Sequence, residues 1–186
     1  MSAPTVAATP VPPRRACTDP AEGVTRPLVW VARAAALTLV PSGLWRVAIA
    51  FGAPSGFKPG NPLHVDHFPG PTSLYLVGLS LFAECLGLLS LGLVQRWGEV
   101  LPQWVPWLGG RSVPPLAAVI PASLGALAVT AITFAGAWTW DAEMSAADAP
   151  TGVAAWVMSF CYAPLVLWGP LLAVLTVAYG RRRRRG

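Results

Sequence analysis

The run Ser73–Gln95, SLYLVGLSLFAECLGLLSLGLVQ, decides the fold, because it is apolar throughout except for one charge, Glu84. About 20 such residues, wound as a helix, cover the roughly 30 Å of a bilayer's hydrocarbon. Three further stretches qualify, so the expected spans are 28–52, 73–95, 116–140 and 153–179. The composition agrees: 54% of residues are hydrophobic, only 11% are charged, and the mean hydropathy is +0.55. A soluble domain carries about 25% charge. The expectation is an all-α, four-helix transmembrane bundle over 28–180.

The flanks read differently. Residues 1–27 are rich in Pro, Ala and Thr without apolar periodicity, and are expected to form a disordered cytoplasmic tail rather than a secretory signal. Residues 181–186 form a basic cytoplasmic tail. Orientation follows the excess of Lys and Arg on the inner side. With both termini cytoplasmic, Arg14, Arg15, Arg26, Arg96, Arg111 and Arg181–Arg185 lie inside, and only Lys58 lies outside. Trp30, Trp97, Trp104 and Trp107 then fall at the inner boundary, and Trp138, Trp140 and Trp156 at the outer one. A plasma-membrane, multi-pass location follows.

Glu84 needs a partner, since a lone charge at mid-bilayer costs about 2.5–3.5 kcal/mol on insertion scales. At 100° per residue, Ser73, Ser80, Glu84, Gly87 and Gln95 share one stripe, which should face other helices. Arg46 of the first span is the candidate partner. Helical side chains lean toward their own N-terminus, so on antiparallel helices Arg46 and Glu84 lean toward each other. Three readings stay open: a structural clamp, a proton or substrate site, and an unpaired, protonated Glu84. Arg33, nearer the cytoplasmic end, can snorkel to the headgroups. Pro41, Pro121, Pro164 and Pro170 are expected to bend or interrupt their helices, and the small face of the third span (Ala118, Ala122, Ser123, Ala126, Thr130) to pack centrally.

The loops carry the remaining chemistry. His64, Asp66 and His67 (H-V-D-H) could bind a metal or sense pH, yet a loop so rich in Gly and Pro is more often a solvated turn, and no metal site is expected. Cys17, Cys85 and Cys161 lack metal or redox spacing. The segment RWGEVLPQWVPWLGGRSVPP (96–115), with Trp97, Trp104 and Trp107, should lie in the inner interface. The net charge of +5 and the terminal arginines point to anionic lipid at Arg181, Arg182, Arg183, Arg184 and Arg185, at about 1 kcal/mol per basic residue near the surface, rather than to nucleic acid.

Two resemblances follow from these residues. W-G-E-V-x-P-x-W-x-P, from Trp97 to Pro106, is similar to segments of small multi-pass membrane proteins of high-GC actinobacteria, which implies membrane residence and no particular activity. E-x-x-G-x-x-x-x-G, from Glu84 to Gly92, resembles the four-span DoxX-like membrane proteins. No hydrolase, nucleotide-binding or zinc motif is present, so neither an enzyme nor a cofactor is expected. The leading expectation is a structural or accessory membrane component with a membrane-protein partner or a second copy; the alternative is a small proton-linked carrier using Glu84 and Arg46.

Overall fold

A computed structural model describes residues 16–100 and 109–185. It contains α1 (Arg26–Leu37), α2 (Val40–Ala50), α3 (Pro71–Gly92), a 3-10 turn (Arg96–Gly98), α4 (Pro115–Met144), α5 (Val153–Tyr162) and α6 (Leu165–Arg185). Four helical units, Arg26–Ala50, Pro71–Gly92, Pro115–Met144 and Val153–Arg184, are long and apolar enough to cross a membrane. Among the described residues there is no β-strand, only isolated bridges such as Pro20 with Gln95. The protein is thus an all-α bundle of four apolar spans.

Two of the spans are broken, each at a proline. Pro41 lacks an N–H and its ring opposes the carbonyl of Leu37, where α1 ends; Pro164 does the same to Phe160 near the end of α5. Side chains take up backbone carbonyls at the first break: Thr38 Oγ1 donates to Ala35 O at 2.7 Å and Ser42 Oγ to Leu39 O at 2.9 Å. Pro121 and Pro170 lie inside continuous helices instead.

The main core gathers Ala32, Ala35 and Leu39 from the first span, Ala126 from α4, and Trp168, Leu172, Leu175 and Tyr179 from α6. The first span lies between α3 and α6, and α2 also meets α5. Helix α4 packs chiefly on α6, with Ala126 its one fully buried residue. Its small face does meet the core through Ala118 and Ala122. However, α4 stands at the flank of the bundle rather than its centre, because the same face is used up by a single neighbour.

At one end, residues expected to be tail are docked. Ala21 N donates to Val94 O at 2.9 Å, Arg96 N to Asp19 O at 3.1 Å and Trp97 N to Cys17 O at 3.3 Å. These bonds join backbone groups, which composition does not reveal, and Ala21 and Val24 add apolar contact beside them. The rest of the expected tail, residues 1–15, lies outside the described residues. Helix α6 runs through the arginine tract as far as Arg185. At the other end, Asn61 Nδ2 donates to Asp148 Oδ2 at 2.7 Å and Lys58 N to Asp148 O at 3.2 Å, tying the two loops together.

Candidate functional site

The polar stripe of α3 is buried as its spacing requires: Ser73, Ser80 and Gly87 are closed from solvent and Glu84 is half-buried. Opposite it stand Ser42, Gly43 and Arg46 of α2, also buried. The close contacts fix the register of this antiparallel pair. Arg46 meets Ser80, Gly43 meets Glu84, and Leu39 meets Gly87. Gly43 is what admits the carboxyl group, since a methyl there would lie 2.8 Å from Glu84 Oε1.

Arg46 is only 5% exposed and its hydrogen bonds are internal. Nε donates to Ser80 Oγ at 3.1 Å and Nη2 to Ser42 Oγ at 3.5 Å. Ser80 Oγ in turn donates to Leu76 O at 2.8 Å, which leaves its lone pairs facing Arg46. The guanidinium carbon lies 5.7 Å from the centre of the Tyr162 ring, and Tyr162 packs edge-on to Trp45 with ring centres 5.4 Å apart. One side chain therefore links α2, α3 and α5.

Arg46 and Glu84 sit one turn apart on the same interface, leaning toward each other, but they are not joined. Among the described residues, Glu84 has neither a hydrogen bond nor an ion pair, and Arg46 spends its donors on serines. Ser80 was visible in the stripe as Glu84's neighbour one turn back. Tyr162 was not, because nothing in the sequence brings the end of α5 to α2.

The remaining candidates scatter. His64 Nε2 lies 3.4 Å from Asp66 Oδ1 while its Nδ1 faces Phe57 O at 2.9 Å; His67 packs separately against Gly70. Among the described residues no three His, Cys, Asp or Glu side chains converge as metal ligands. Gln95 accepts from Trp97 Nε1 at 2.6 Å, and the Trp97 ring folds back over Gly92, so this tryptophan covers the end of α3. Trp104 and Trp107 lie outside the described residues. Arg33 is exposed and lies over Trp30 at 5.3 Å, the geometry of a side chain reaching along its helix.

The arginine tract is divided in its use. Arg182 Nη2 pairs with Glu99 Oε1 at 2.6 Å and bonds Leu93 O at 3.3 Å; Arg183 Nη2 donates to Val113 O at 2.9 Å. Arg181 and Arg184 are exposed. Sequence reasoning missed this Arg182–Glu99 pair, whose only signal was the single acid in the loop 96–115. Comparison with known proteins adds no relative: no family model, curated protein or solved structure matches the chain.

Proposed function

We propose that this is a structural or accessory component of the plasma membrane, with both termini cytoplasmic and Arg46 holding the bundle together. On this reading it is one of the small multi-pass proteins that its W-G-E-V segment resembles. The supporting observation is that the buried Arg46 reaches Ser80 of α3 and Tyr162 of α5 from its own helix α2. A buried guanidinium satisfied by hydroxyls and an aromatic face is suited to fixing helix positions. The exposed Arg181 and Arg184 would meet anionic headgroups, and a partner or a second copy would use the apolar flank of α4.

A second reading, a proton-linked carrier, draws on one specific observation: the half-buried Glu84 carboxyl has no partner among the described residues. An intramembrane carboxyl group is a functional candidate by default. One experiment separates the two. Proton entry into proteoliposomes containing an internal pH dye is compared for wild type, Glu84→Gln and empty vesicles. The structural reading expects all three to leak equally; a flux present in wild type and lost in Glu84→Gln would establish the carrier.

A further inference from the structure

The break between α5 and α6 leaves a groove of 570 Å³ against the second half of α4, at the end of the bundle opposite the arginine tract. Its size lies in the range of ligand sites, roughly 300–1,000 Å³. Its lining is mainly apolar, and among the described residues no lysine or arginine contributes to it. From Ile132 to Glu143 the groove follows α4 for about 16 Å at the helical rise, close to one leaflet of hydrocarbon.

The polar groups are concentrated toward one end. Trp140 Nε1 donates to Ser159 Oγ at 3.2 Å, bridging α4 and α5, and Trp140 stacks at an angle on Tyr162, ring centres 6.0 Å apart. Asp141 and Glu143 form the rim, and Glu143 Oε1 is held by Thr139 Oγ1 at 2.9 Å. Arg46 touches Tyr162 from behind but does not line the cavity. An apolar channel one leaflet long, with aromatic walls and an acidic rim, matches a chain with a cationic head.

We propose that this groove seats one acyl chain of a bilayer lipid with a primary-amine headgroup, the ammonium resting at Asp141 and Glu143. Aromatic faces beside the rim favour a cation over an anion, and the two carboxylates exclude phosphoglycerol-type heads by charge. Gly136 offers a block: it lines the groove, and a Cβ built there meets no protein atom within 4 Å, so the side chain of Gly136→Leu starts in open space and takes up room that an acyl chain would need.

The test uses the full chain in phosphatidylcholine nanodiscs doped with either phosphatidylethanolamine or phosphatidylglycerol bearing a photoreactive acyl chain. After illumination, labelled peptides are mapped by mass spectrometry. Expected is severalfold stronger labelling of the 132–143 and 159–166 segments by the ethanolamine lipid, abolished by Gly136→Leu. Asp141→Asn with Glu143→Gln, both exposed positions, should erase the headgroup preference while leaving the fold intact. Equal labelling by the two lipids, or labelling that survives Gly136→Leu, or a preference that survives the double amide variant, would each overturn the proposal.

Discussion

Tyr162 shows what a single residue does in this interface. Its ring faces the Arg46 guanidinium on one side and meets Trp45 and Trp140 on others, three contacts made by aromatic area. A cation over an aromatic face is worth about 0.5–2 kcal/mol, depending on desolvation. Tyr162→Phe should therefore leave thermal stability in nanodiscs nearly unchanged, whereas Tyr162→Leu should lower it by about 1–2 kcal/mol. Equal losses in the two variants would assign the stabilisation to the hydroxyl instead. Arg46 and Glu84 were both legible as residues, since charges in apolar runs stand out. Their lack of a direct bond was not, because a serine one turn from the acid can accept the same guanidinium, and only the α2–α3 register decides between them.

Among the elements, a close crossing joins α4 to α6 at Gly169. Here Thr130 crowds the glycine so closely that a methyl would fall 2.7 Å from the Thr130 backbone nitrogen and 2.8 Å from its Cα. Backbone cannot rotate aside as a side-chain end can, and overpacking of this kind costs about 1–3 kcal/mol. Gly169→Ala should therefore destabilise the protein by that amount in a thermal unfolding assay. Gly125→Ala, on an open part of α4, should be neutral or slightly stabilising, as alanine is the better helix former. If both changes behaved alike, the crossing would not be at Gly169. Hydropathy revealed all four spans, and Pro41 and Pro164 marked both breaks. The flanking position of α4 escaped the sequence, because lipid accepts the same apolar residues that a neighbouring helix does.

At the scale of the whole molecule, the end of α6 acts as a tie. Arg182 joins Glu99 and Leu93 O, its stem lies on Gly23, and Arg183 reaches Val113 O, so the last helix holds the N-terminal segment and the loop after α3 in place. Both members of the ion pair are mostly buried, with side chains 14% and 19% exposed, so salt should screen the pair little. Glu99→Gln should raise hydrogen exchange at the amides of Ala21, Arg96 and Trp97, which bond between the two segments. Unchanged protection there would mean that the backbone bonds hold the end by themselves. None of this was legible in a terminal run of arginines, since a charge run reads the same whether it meets lipid, water or a single buried glutamate.

The account rests on Arg46 and Ser80 acting as one unit across the α2–α3 interface, and a double-mutant cycle measures that directly. Thermal unfolding in lipid nanodiscs would be compared for wild type, Arg46→Met, Ser80→Ala and the double variant. Removing Ser80 alone strands a buried charged donor, at about 1–3 kcal/mol. The prediction is that Ser80→Ala is costly in wild type and nearly silent once Arg46 is methionine. Strictly additive losses would show that the two residues do not interact, and would contradict the clamp.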